Sequence, residues 1–132
     1  MSTLKVNTIQ NTSGGSSSTP EQIAEGRAKI WACVDGTGTP SFNDSLNCSS
    51  LTDGGTGDWI VNFSITMANT NYCTVGMSEN FEGNNSDSYT GISEMKDVRT
   101  TSSLRFRNLR WRFDEQTFAD SEHMGIAIFG DV

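Results

Sequence analysis

Residues 53–66 read DGGTGDWIVNFSIT, and this stretch decides the fold class. Its first half packs three glycines into six residues, the composition of a tight turn in which the backbone needs conformations that side chains resist. Its second half places Trp59, Val61, Phe63 and Ile65 on one parity, and Ile60, Asn62, Ser64 and Thr66 on the other. Successive side chains of an extended strand point to opposite faces, so apolar residues at every second position mark a strand with one buried face.

The same period runs outward in both directions. Upstream, Ile30, Ala32 and Val34 alternate with Trp31 and Cys33, followed by the turn DGTGTP and short strands expected near 41–47 and 48–51. Downstream, residues 71–78 set Cys73, Val75 and Met77 opposite Tyr72 and Thr74, and further strands are expected at 89–95, 102–113 and 124–129. In the longest, Leu104 and Phe106 share one parity while Leu109, Trp111 and Phe113 share the other. An extra residue near Asn108, a β-bulge, is the expected way to restore a single buried face. Some eight short strands joined by polar turns predict an all-β domain over residues 29–132, an antiparallel β-sandwich or jelly-roll-like fold. No internal repeat is evident.

Residues 1–28 read differently. LKVNTI at 4–9 has the alternation of a short strand, yet NTSGGSSS separates it from the rest as a flexible polar linker. A strand so isolated pairs with another chain or stays unpaired. STPEQIAEGRAK then carries a helix start, with Thr19 at the N-cap, Pro20 at N1 and Gln22 as the reciprocal partner of a capping box. The expected helix, residues 20–28, offers only Ile23, Ala24 and Ala28 as apolar groups, too little to dock on a large core. Packing against symmetry-related copies would support it, with Ile23 and Arg27 at the contact.

The 132 residues suit one domain, and the abundance of Gly, Ser, Thr and Asn argues against a helix bundle. A formal charge of −7 speaks against nucleic acid and anionic membrane surfaces as partners, which call for basic patches. No stretch approaches the length of a membrane helix. The N-terminus lacks a basic region followed by an apolar run, which implies synthesis in a cytoplasm without classical export. Cys33, Cys48 and Cys73 are odd in number and widely spaced, so free thiols are expected, with Cys33 and Cys73 buried in strand patterns and no zinc site.

Catalytic chemistry is nearly missing from the sequence. His123 is the single histidine, with Asp120 and Glu122 close before it and no nucleophile motif in the sequence, so it reads as an ordinary loop residue. The glycine turns lack the lysine of a phosphate loop, and no paired-carboxylate pattern suggests a polysaccharide-cleaving enzyme. No cofactor, metal or catalytic residue is therefore expected. ENFEGNNSDS at 79–88 is rich in oxygen ligands, but its spacing matches no EF-hand and a solvated loop is the plainer reading. Loops carried on rigid scaffolds are where binding concentrates, which makes Phe81, Asn84, Asn85, Asp87 and Tyr89 candidates for contact with a host surface. Five of the nine basic residues are Arg99, Arg105, Arg107, Arg110 and Arg112, in a window of 99–113 that holds no acid. Forked hydrogen bonds to carboxylates, of a neighbouring subunit or of this chain, are the expected use, ahead of binding an anionic glycan. Arg105, Arg107, Arg110 and Arg112 thus join the candidates for an oligomer interface. Trp31, Trp59 and Trp111 are expected in core or interface, and Tyr72 and Tyr89 at the surface, where aromatic rings can stack on sugars.

Particular words of the sequence carry a resemblance. LKVNTIQNTSG, STPEQIAEGRAK, WACVDGTGTP, DSLNCSSLTDGGTGDWIVNF, MANTNYCTV and the closing GIAIFGD resemble the tail-fibre-like virion proteins of marine phages, notably those infecting cyanobacteria. The likeness covers most of residues 1–78 and the last few, and not the span 79–113. It departs at 30–34, where that group more often reads AWVNF. What it implies is a non-enzymatic structural protein located in the virion, a homotrimeric fibre or spike subunit. Leu4, Val6 and Ile9 would join it to another phage virion protein, and the β domain would trimerise and meet a host glycan or receptor. A capsid decoration protein or a carbohydrate-binding module are the alternative expectations.

Overall fold

The computed structural model describes residues 2–15, 17–79, 88–95, 98–112 and 115–132, with only the backbone described at 88 and 89. It is an all-β sandwich of two antiparallel sheets with one short helix, as the alternation requires. Helix α1 spans Pro20–Gly26. The strands are β1 Ile30–Asp35, β2 Ser41–Leu46, β3 Cys48–Asp53, β4 Asp58–Phe63, β5 Cys73–Ser78, β6 Ser88–Glu94, β7 Ser103–Arg112, β8 Glu115–Phe118 and β9 Met124–Phe129. The first sheet runs β2-β1-β9-β5; the second runs β3-β4-β7-β6, with β8 added to β7.

The core lies between the sheets. Ile30, Ala32 and Val34 of β1 and Met124, Ile126 and Ile128 of β9 meet Trp59, Val61 and Phe63 of β4 and Leu104 and Phe106 of β7. The rings of Trp59 and Phe106 lie 5.7 Å apart, and each such fully buried side chain contributes about 1.5–3 kcal/mol. Met67 and Tyr72 close one end. Tyr72, expected at the surface, is buried and donates its hydroxyl to the carbonyls of Thr100 and Ser103 at 3.1 and 3.3 Å.

Three further sequence expectations are corrected here. No bulge occurs at Asn108: the β6–β7 register runs unbroken from Ser88 to Glu94, and the shifts fall instead at Cys33/Val34 and Cys48/Ser50. The change of parity in β7 is therefore real. Leu104, Phe106 and Asn108 face the core, and Arg105, Arg107, Leu109 and Trp111 face out. In β5 the apolar parity also points outward, leaving Cys73, Val75 and Met77 exposed and Cys33 half-buried, so neither thiol is a core residue. Residues 4–8 form no strand; a single bridge pairs Ile9 with Ser18, consistent with a segment that finds no sheet beside it. The helix forms with its capping box, Thr19 N–H to Gln22 Oε1 at 2.9 Å and Gln22 N–H to Thr19 Oγ1 at 3.2 Å, but buries no residue.

Candidate functional site

The outward face of the second sheet gathers most of the chain's arginine chemistry. Asp58 starts β4 directly opposite Arg107 on β7. Arg105 donates from Nε and Nη2 to the two carboxylate oxygens of Asp58, both at 2.8 Å, and Arg107 donates from Nε to Oδ2 at 2.9 Å. The Asp58 side chain is only 8% exposed, while the two arginines are about a third exposed. The Arg105 fork holds the Asp58 carboxyl below its usual range, against the opposing effect of burial, and Arg107 adds to it. The same bond holds the Arg105 guanidinium in its charged form. The triad carries a net charge of +1, an anion shared by two cations.

Arg107 is held a second way. Its guanidinium carbon sits 4.8 Å from the centroid of the Phe118 ring, a cation–π contact. Phe118 comes from β8, which pairs with the far half of β7 and sets Phe118 opposite Leu109 and Gln116 opposite Trp111. Between them lies a cleft of about 450 Å³, floored by Arg107 and Leu109 and walled by residues 93–95 and 116–118. Beside it the Trp111 indole, 39% exposed, lies across Gly91, where a Cβ would stand 3.0 Å from Cζ3 of the ring. Next to the cleft, Glu94 is gripped by the Nε and Nη2 of Arg99, which also donates to the carbonyl of Tyr72 and covers its ring at 4.8 Å.

The expected arginine row thus resolves residue by residue. Arg99, Arg105 and Arg107 pair with acids of their own chain, one of the uses expected for the arginine row. Arg110 and Arg112 sit on the other parity of β7, beyond the core, half-buried and exposed respectively. Asp58, Gly91, Gln116 and Phe118 had not stood out in the sequence: Asp58 ends a turn motif, and EQTF is too short and polar to read as a strand.

The outward face of the first sheet is of opposite character. Trp31, Ala127 and Val75 stand in one cross-strand row, and Cys33, Gly125 and Met77 in the next. The small residues of β9 leave an open apolar groove of about 420 Å³ between the walls of β1 and β5, with no charged residue lining it. Met77 is 79% exposed at its edge. Farther away, Leu4, Val6, Ile9 and Ile23 are all exposed and line a shallow hollow between the N-terminal segment and α1, and Arg27 is exposed at the helix end.

Of the loop candidates, Phe81, Asn84, Asn85 and Asp87 lie outside the described residues, and of Tyr89 only the backbone, in β6, is described. At the start of that loop Glu79, Glu122 and His123 bring ligand atoms within 4.8 Å of one another. The Glu79 carboxylate already accepts from the backbone N–H groups of Glu122 and His123 at 2.9 and 3.1 Å and meets His123 Nδ1 at 3.1 Å, so the cluster reads as a brace between β5 and β9. Among the described residues, no helix is long and apolar enough to cross a membrane. Comparison with family models, with curated proteins and with solved structures finds no match to the chain.

Proposed function

We propose that this protein is a structural protein of a bacteriophage virion, one subunit of a homotrimeric tail fibre or spike, attached through its N-terminal segment and presenting its β domain to the host. The observation that carries the reading is the charge-free apolar groove on the first sheet, in a chain whose formal charge is −7. Contiguous exposed apolar surface marks an interaction site, and copies of an acidic chain can meet along this groove without bringing charges into it. Closing three copies about an axis through that face turns the second sheet, with its cleft and arginines, outward. Exposed Leu4, Val6 and Ile9 support attachment of the N-terminal segment to another virion protein, to which they offer apolar contacts. Many weak distal contacts on one particle then add to firm adsorption. A capsid decoration protein would use the same trimer; the cleft on the outward sheet favours host contact.

Light scattering on the purified chain, diluted to micromolar concentration, tests the reading. The expected mass is that of three chains, and Met77→Lys, which sets a charge in the groove, yields folded monomers with unchanged circular dichroism. A wild type that is monomeric at these concentrations refutes the trimer, and a Met77→Lys trimer as stable as wild type refutes the groove as its interface.

A further inference from the structure

We propose that the cleft over β7 is a binding site for an acidic sugar unit of a polysaccharide. The proposal deepens the host-contact part of the fibre reading and rests on it only for the sugar's source; the chemistry of the cleft stands on its own. A pyranose ring offers an apolar patch of C–H groups on one face and hydroxyls around its rim. The cleft offers the counterpart: Phe118 and Leu109 as apolar surface, with Ser93, Gln116 and Arg107 as polar groups on the same outward face and the Trp111 indole beside it. Its volume of about 450 Å³ falls in the range of small-molecule sites, which combine apolar walls with a few placed polar groups.

Two features point to a ligand beyond mere surface roughness. Gly91 leaves the space that the Trp111 ring occupies, since even one Cβ would stand 3.0 Å from it. Arg107 is fixed before any ligand arrives, by Asp58 at Nε and by Phe118 beneath its plane, and among the described residues no acceptor occupies its two Nη groups. A guanidinium held in place loses little freedom on forming a forked pair with a carboxylate. The charge balance selects the anionic sugar. Asp58 is shared by two arginines and Glu94 is taken by Arg99, so the cleft is locally positive on a protein that is otherwise strongly acidic.

Saturation-transfer NMR on the full-length protein tests this, with trigalacturonate and sialyllactose as probes and galactotriose and lactose as their uncharged counterparts. Saturation is expected to pass to the C–H protons of the acidic sugars, with affinity at least about tenfold above the neutral ones and falling with salt. Phe118→Ala, at a half-exposed position, is expected to weaken binding about tenfold with circular dichroism unchanged, and Gly91→Ala to do the same by displacing Trp111. Absence of transfer to both acidic sugars, or equal binding by wild type and Phe118→Ala, overturns the proposal; equal binding of acidic and neutral sugars overturns the role of Arg107. Light scattering on the same samples separates the two readings. A monomer that binds the acidic sugars refutes the fibre and keeps the cleft, and a trimer that binds none keeps the fibre and refutes the cleft.

Discussion

Replacing Asn108 by alanine removes the polar side chain most deeply placed in the sandwich. Asn108 is fully buried on the core face of β7, and its Nδ2 donates to the carbonyl of Ala119 at 2.9 Å and to Ser121 Oγ at 2.8 Å. Those bonds tie the segment after β8 to β7. Deleting the donor leaves a buried carbonyl and a buried hydroxyl without it, at about 1–3 kcal/mol for each group left unpaired. Two effects reduce the sum. The Ser121 hydroxyl can rotate towards another acceptor, and Asn108 Oδ1, which has no partner among the described residues, ceases to be a buried orphan. The net loss expected is about 2–4 kcal/mol, a large part of the ~5–15 kcal/mol that holds a domain together. Urea unfolding followed by tryptophan fluorescence measures it, at one fixed protein concentration because association raises apparent stability. The midpoint should fall with the slope unchanged. In a double-mutant cycle with Ser121→Ala, the coupling should be about 1 kcal/mol. A loss under about 0.5 kcal/mol, the size of an ordinary surface substitution, refutes the idea that these bonds anchor the segment.

Two further outcomes follow from the same corner of the molecule. Because the folded Asp58 carboxyl lies below its ordinary range, its contribution is fully present above the unfolded value and is lost as pH falls through the folded one. The stability advantage of wild type over Asp58→Asn should hold at neutral pH and shrink below about pH 4, as followed by calorimetry; a difference independent of pH contradicts the pairing. Gly57, at φ +65°, leaves no room for a side chain: a Cβ would meet Ala119 N at 2.7 Å and Asn108 O at 2.8 Å, both backbone atoms that cannot swing aside. Gly57→Ala should therefore cost about 3 kcal/mol, against about 1 kcal/mol for Gly38→Ala, whose positive φ of 62° faces open space. Equal losses in urea unfolding would show that strain alone, and not packing, governs both sites.

Alternation in the sequence carries parity, and parity is what it made legible. It separated the two faces of β1 and β4 because each is a central strand with its apolar face on the core. The cleft was hidden for reasons of the same kind. Strand β8 is four residues, EQTF, with all four exposed, so no buried face announces it. Asp58 closes a turn motif, and its partners lie 47 and 49 residues away, a pairing that only the register of β4 on β7 creates. The parity break in β7 was visible, but a bulge and a buried asparagine produce the same pattern of letters, and only the unbroken β6–β7 ladder decides between them.

The errors in β5 and β7 differ in what they mean. In β7 the apolar residues that face outward, Leu109 and Trp111, stand beside arginine and glutamine, a mixed surface suited to a small polar ligand. In β5 the outward set is Cys73, Val75 and Met77, and across β9 it continues into Ala127, Cys33 and Trp31 without a charge. A strand whose apolar parity points away from its own core is unfavourable for a monomer, since its inward face, Thr74 and Ser78, then presents buried hydroxyls that find no partner among the described residues. Under the fibre proposal the inversion has a cause. The apolar side of β5 faces a core shared between copies, and the polar side faces the core of its own chain, so the strand's alternation records burial in the assembly. The two sheets then divide the work by chemistry under that proposal: the one that carries the uncharged groove closes on its copies, and the one whose outward face pairs cations with aromatic rings is left to meet the host.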